Sequence, residues 1–428
     1  MKANCVYLSQ LSETGGGADS EHDEKISYPA ERIENNFYEN GIHTEKRNQF
    51  MTKKKITAAA LAAILAVSAL SGCGNDKENQ NTENLSGAEE TQGQDLGAGT
   101  EALGGTEVSG GTEVTEEQIP EPQYPEIVSD EKIEDFGSVV IVGDAAYELY
   151  TYSDATADNY ALAVNKVAAA LDQKADVYDI LIPLGSGITF PDNLRDQIKS
   201  SDQREAMSSI QAKMDETVKT VDIYDSLMTN RNEYIYFRTD HHWTALGAYY
   251  AYEDFCEVKG ITPEALDSYE TSEFDGFLGS FYNDTNANAT LKANADVVTA
   301  YHPNMDAIMH VTDSRGVEYD SKVIFDESKA AAGLKYSCFI AGDNPITEIE
   351  NKELTDGSSC IVVKESFGNA FVPFLVDHYQ TIYVVDYRYW KGSISELAQE
   401  KNVDDVIFVN NLSMIRNKSL VGKLFSVI

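Results

Sequence analysis

An α/β sandwich around a mostly parallel sheet, with helices on both faces, is the fold class this 428-residue chain predicts. Three observations carry it. Short β-rich apolar runs alternate with amphipathic stretches of helical period through residues 136–428, the alternation that gives strand–helix–strand units. With 42% hydrophobic and 10% aromatic residues, the apolar side chains suffice for a core of ordinary size. The low-complexity composition that opposes a core is confined to residues before 136. The length allows two or three domains. The formal net charge is −38, and Lys and Arg cluster only in one short N-terminal run, so nucleic acid is excluded as a partner: phosphate binding needs grouped cations.

The elements follow in chain order. Met51-Thr-Lys-Lys-Lys55 opens an Ala-rich apolar run, 56–70, too short to span a bilayer comfortably, and small residues then lead to Leu70-Ser71-Gly72-Cys73. This reads as a secretory signal, and Leu-Ser-Gly-Cys resembles the lipobox of bacterial lipoproteins, which implies cleavage before Cys73 and a lipid on its sulfur. Such signals sit at a true N-terminus, so Met51 is the expected initiator and residues 1–50 an upstream leader; Lys46-Arg47-Asn48 fits a purine-rich ribosome-binding stretch. Residues 74–135 read as a disordered acidic tether. They hold 17 acidic residues against Lys77 and Lys132, contain the twice-used unit Gly-Gly-Thr-Glu-Val, and end in the stiffening Pro120, Pro122 and Pro125. The mature protein is thus expected on the outer face of the bacterial cytoplasmic membrane, held there by lipid.

Within 136–428, candidate strands are 139–142, 177–184, 221–224, 234–237, 360–363, 382–385 and 406–409. Candidate helices are 159–171, 201–217, 245–259, 370–378 and 393–401. Residues 262–359 alternate less clearly and are rich in Asn, Asp and Gly, which predicts a β-rich insertion. Cys256, Cys338 and Cys360 have no metal-type spacing and read as buried thiols, with a Cys338–Cys360 bridge the alternative.

In such sheets, chemistry sits at the carboxyl ends of strands. The densest polar cluster, Arg238-Thr-Asp-His-His-Trp-Thr244, follows the candidate strand 234–237 and precedes a helix that Thr244 is placed to cap. If this segment is extended, residues i and i+2 share a side, so Asp240 adjoins His242 while His241 points away. A carboxylate beside an imidazole fixes its tautomer and stabilises its cation, as hydrolases require. A lone His is more often a satisfied core residue, but Asp-His-His-Trp at a junction is not lone. Zinc is the other reading, with Asp240, the two histidines and His302 or His310 as ligands; adjacent histidines diverge in a strand, and no His-Glu-x-x-His helix is present. Neither metal nor cofactor is expected. The triad needs a nucleophile on another strand end, for which Ser186, Ser280 and Ser366 qualify. Ser366, between the strand 360–363 and a helix, with Gly368 allowing a tight turn, is best placed for helix N-terminal N–H groups to hold an oxyanion. It can equally be read as a helix cap.

Thr239-Asp-His-His-Trp-Thr244 with Glu365-Ser-Phe-Gly-Asn369 resembles the bacterial DHHW protein family and, more distantly, the SGNH-like domain of alginate O-acetyltransferases, over most of 136–428. The resemblance implies an SGNH-like sandwich with Ser366 as nucleophile, His242 as general base and Asp240 as its orienter. This order reverses that of ordinary SGNH esterases, and Lys364-Glu365-Ser366 stands where they show Gly-Asp-Ser. Asn344, after the apparent strand end Phe339-Ile-Ala341, is the candidate oxyanion donor. Gly368 and Trp243 join the candidate substrate or oxyanion set, and Arg388, beyond 382–385, is the candidate contact for an anionic or acyl-bearing substrate. The expected activity is transfer or removal of O-acyl groups, acetyl foremost, on a cell-envelope or exported polysaccharide, with a membrane-bound O-acyltransferase as partner. The alternative is a non-catalytic carbohydrate-binding or scaffold lipoprotein that retains the fold.

Overall fold

The computed structural model describes residues 123–428. The expected leader, the signal with Cys73, and the tether as far as residue 122 lie outside the described residues.

The strands are β1 (Ile133–Asp135), β2 (Val139–Val142), β3 (Ala145–Glu148), β4 (Asp176–Ile182), β5 (Val218–Val221), β6 (Thr271–Phe277), β7 (Asp296–Tyr301), β8 (Ala307–Thr312), β9 (Glu318–Ser321), β10 (Ile346–Asn351), β11 (Ser359–Lys364), β12 (Thr381–Asp386) and β13 (Asp405–Asn411). Eight of them form the main sheet in the order β5-β4-β13-β11-β12-β10-β8-β9. The first five are parallel, and β10, β8 and β9 extend the sheet antiparallel. Sequence explains the division. β11 and β13 are buried at every position, the near-continuous apolar run that a strand covered on both faces needs. In β8, Met309 and Val311 are buried while His310 between them is exposed, the alternation of a strand with one wet face.

Consecutive residues of β4 locate the two helical layers. Asp179 accepts from Tyr160 of the helix Asp154–Leu171 at 2.5 Å, whereas Tyr178 meets Phe255 of the helix Ala245–Lys259 edge-on at 5.1 Å. Neighbours in a strand point to opposite faces, so these helices cover opposite sides. With the first packs Lys418–Phe425, and with the second Gly368–Leu375. Ala245–Lys259 begins where expected, with Thr244 Oγ1 accepting from the Gly247 N–H.

Four expectations shift. The tether does not reach 135: Tyr124 donates to Asp225 at 2.6 Å, the Ile127 N–H to Asp192 at 3.0 Å, and β1 pairs with β2. A composition window dominated by acidic residues hides these few apolar anchors. Residues 221–224 are not a strand. β5 ends at Val221, where the Asp222 side chain accepts the Tyr224 N–H and a helix, Tyr224–Thr229, begins. Residues 234–237 form no strand either, because the chain doubles back at once and leaves only the Tyr236–Trp243 bridge. The expected insertion is partly the sheet itself: β8, β9 and β10 extend it, and β6 with β7 makes a separate antiparallel pair. Cys256, Cys338 and Cys360 are buried free thiols, so the Cys338–Cys360 bridge is absent.

Candidate active site

Parallel pairing puts the carboxyl ends of β4, β13, β11 and β12 on one edge, and the polar cluster collects there. After Lys364 the chain leaves β11, turns through Glu365-Ser366-Phe367 and enters the helix Gly368–Leu375. Gly368 approaches too closely to carry a side chain, since a Cβ there would stand 2.6 Å from Lys364 Cβ. Facing this turn is the reversed loop between Tyr236 and Trp243. Buried Asp296 pins it, accepting from the N–H groups of Arg238 (3.0 Å) and Thr239 (2.7 Å) and from the Thr239 hydroxyl (2.6 Å).

Within the loop, Asp240 Oδ1 accepts the His242 N–H at 3.0 Å and lies 2.5 Å from His242 Nδ1. His242 Nε2 is 2.8 Å from Ser366 Oγ. Ser366, His242 and Asp240 are therefore in line, as the sequence expects, but by another route. The segment is bent rather than extended, and a side-chain turn of Asp240 onto the N–H two residues on brings the pair together. His241 does not point away: its ring centroid is 3.9 Å from that of His242, and its Nδ1 is 2.6 Å from Ser280 Oγ. Gly279 lets this neighbour close in, since any Cβ there would lie 2.2 Å from Asp240. The Ser280 N–H then donates to Asp240 Oδ2 at 2.8 Å. Burial alone would raise the Asp240 carboxyl, but the facing histidines and these hydrogen bonds outweigh it and hold the group well below the usual carboxylate range.

Two residues that sequence reading missed support the pair. Tyr336 stacks on His242 at 4.1 Å, 11° from parallel, and its hydroxyl donates to the Ser366 carbonyl at 3.0 Å. Asp296 holds the loop. Neither sits in a motif; each reaches the site through tertiary contact. Trp243, expected near substrate, is fully buried, and its Nε1–H donates to the Phe367 carbonyl at 2.9 Å, tying the histidine loop to the serine turn.

The expected substrate and oxyanion set is otherwise redistributed. Asn344 donates to the Ala341 carbonyl at 3.1 Å, within its own loop. Arg388 is largely buried and paired with both oxygens of Asp386 (2.9 and 2.6 Å) and with Asp343 (2.8 Å), not directed at a ligand. Lys364, 1% exposed, joins the same carboxylates at 3.2 and 3.3 Å, and Asn369 donates to Asp343. Burial works against the Asp343 charge, but Arg388 and Lys364 prevail and hold its carboxyl low. This buried network underlies the serine turn. The helix N-terminus offers fewer free donors than expected: the N–H groups of Phe367, Gly368 and Asn369 bond Glu365 Oε2, the Glu365 carbonyl and the Ser366 carbonyl. Among the described residues the Ser366 N–H bonds no acceptor. Glu365, 1% exposed, also lies 3.4 Å from Ser366 Oγ, and burial raises its carboxyl.

The rival serines are placed elsewhere. Ser186 donates to the Glu148 carbonyl at 2.6 Å, and Ser280 faces His241. Asp240, His241 and His242 bring ligand-type atoms within 4.8 Å of one another. Asp240 and His242 use theirs on each other and on Ser366, while His302 and His310 bond Ser272 and Asp320 instead. That geometry fits a proton-transfer line rather than a metal ligand set.

An α/β fold with a serine–histidine–aspartate line on one sheet edge defines a class of candidate acyl-transfer proteins, and comparison narrows it. The DHHW protein family profile matches residues 109–385. A crystal structure of a DHHW family protein from Eubacterium siraeum is 30% identical, aligns over 71% of this chain and 99% of its own, and superposes with a TM-score of 0.63. The chain belongs to the DHHW family. Bacillus cereus PatB1 is similar in fold, at 20% identity over 70% of this chain and 100% of its own with a TM-score of 0.55; its structure with a sulfonyl adduct gives 19%, 69%, 99% and 0.56. No curated protein matches the chain.

Proposed function

We propose that this chain transfers or removes O-acyl groups, acetyl foremost, on a cell-envelope or exported polysaccharide through Ser366, His242 and Asp240. The carrying observation is the continuous line from Asp240 Oδ1 to His242 Nδ1 (2.5 Å) and from His242 Nε2 to Ser366 Oγ (2.8 Å). His242 takes the Ser366 proton as Oγ attacks the acyl carbonyl, Asp240 stabilises the imidazolium, and the Ser366 N–H is placed to donate to the oxyanion. His242 then protonates the leaving group. A sugar hydroxyl or water, deprotonated by His242, releases the acyl group from Oγ, giving transfer or hydrolysis respectively. The test is hydrolysis of p-nitrophenyl acetate by wild type and S366A. Loss of about 10³-fold or more in kcat/KM is expected, as when other triads lose their nucleophile. Equal rates would overturn the serine mechanism and leave the non-catalytic carbohydrate-binding reading.

The same proposal places the chain on the outer face of the cytoplasmic membrane, lipidated at Cys73, with a membrane-bound O-acyltransferase supplying acyl groups. Among the described residues no helix is long and apolar enough to cross a membrane, so this anchor rests on the signal and lipobox pattern. Mass spectrometry of the membrane-extracted protein checks it: a mature chain starting at an acylated Cys73 is expected, and one that retains residues 1–50 would refute it.

A further inference from the structure

Two histidines stand side by side at the site, and the proton line uses only one. His241 is 3.9 Å from His242, centroid to centroid, with its ring 35° off parallel. Its Nδ1 is held by Ser280 Oγ, and Ser280 is the residue whose N–H grips the second oxygen of Asp240. Nε2 bonds nothing among the described residues. The side chain is 34% exposed and stands at the mouth of a narrow cleft of about 10 Å³ that it lines with Tyr147, Glu148, Thr189, Tyr236 and Phe281.

His242 becomes cationic in each half-reaction, and two imidazolium charges at this separation repel strongly, so His241 stays neutral during turnover. Burial, and then the nearness of His242, push its pKa down in the same direction. The other charged groups around the ring are acidic: Asp240, Glu148, Glu365 and exposed Asp284, with Arg416 already paired to Glu148. A neutral imidazole among carboxylates bonds hydroxyls and offers no counter-charge to a phosphate or carboxylate ligand.

We propose that the exposed edge of His241, beside His242, binds the acyl-accepting sugar at the protein surface, Nε2 hydrogen-bonding one hydroxyl of a neutral glycan so that a neighbouring hydroxyl faces the acyl-enzyme. That neighbour gives its proton to His242 Nε2 as its oxygen bonds the acyl carbon. The Oγ–acyl bond then breaks, and Oγ recovers the proton from His242. This inference rests on the proposed serine mechanism and concerns its second half.

The experiment gives the full chain p-nitrophenyl acetate with cellopentaose or trigalacturonate, and measures the p-nitrophenolate burst and the ratio of acetylated oligosaccharide to free acetate. Wild type is expected to acetylate cellopentaose in preference to trigalacturonate. H241A should lower the transfer-to-hydrolysis ratio about tenfold, the worth of one hydrogen bond to substrate, and H241Q should recover part of it. An unchanged ratio in both variants, or a preference for trigalacturonate, overturns the inference. So does a wild-type burst without acetylated cellopentaose. A wild type without a burst overturns the serine mechanism itself, and the two failures are thereby distinguished.

Discussion

Asp240 is engaged on both oxygens, one toward His242 and the other toward the Ser280 N–H. D240N keeps the side-chain shape but replaces an acceptor with a donor, so the wrong imidazole tautomer faces Ser366. Acylation by p-nitrophenyl acetate is expected to fall about 10⁴-fold with near-native circular dichroism, as an aspartate-to-asparagine change does in other triads. Tyr336 acts on the nucleophile through the backbone. Y336F removes one hydrogen bond to the Ser366 carbonyl, worth about 1 kcal/mol, and retains the ring stacked on His242; a several-fold fall in burst rate with little change in KM is the expected split. The sequence makes Asp240, His242 and Ser366 legible because their chemistry is local or motif-borne. It hides the partners of Asn344 and Arg388, which are set by loop folding and, for Arg388, by Asp343 from the loop before β10.

At the scale of elements, the turn after β11 rests on a charged floor. Asp386, fully buried at the end of β12, pairs with both Lys364 and Arg388. Removing one charge from such a group leaves buried cations uncompensated, so D386N is expected to cost about 3–5 kcal/mol of stability, read from urea denaturation. The strands β4, β11, β12 and β13 are visible in the sequence because burial on both faces leaves a run of Val, Ile and other large apolar residues in each. The segment 234–237, Tyr-Ile-Tyr-Phe, is likewise rich in strand-forming residues and is no strand, because Arg238-Thr-Asp reverses the chain before a ladder can form. Propensity proposes a strand there, and the turn chemistry of the next three residues overrides it.

At the scale of the molecule, pH acts through buried carboxyls outside the proton line. Asp179 is fully buried, with one oxygen bonded to Tyr160 and the other unpartnered; burial pushes its pKa up to about 7, and Asp254 is raised to about 7 in the same way. Unfolding returns each group to the ordinary carboxylate range, so the unfolded chain loses these protons first as pH rises from about 4. Stability is therefore expected to fall between pH 4 and pH 8 by a few kcal/mol. D179N should flatten part of that slope, as thermal melts across the range will register; an undiminished slope refutes the assignment. The order of the sheet carries a last consequence. β13 lies between β4 and β11, yet it is the last strand of the chain to be synthesised. Until residues 405–411 emerge, the half of the sheet bearing β4 and the half bearing the nucleophile have no strand to join them. A nascent chain of this topology can complete its parallel sheet only once residues 405–411 are available, a long-range pairing that closes slowly.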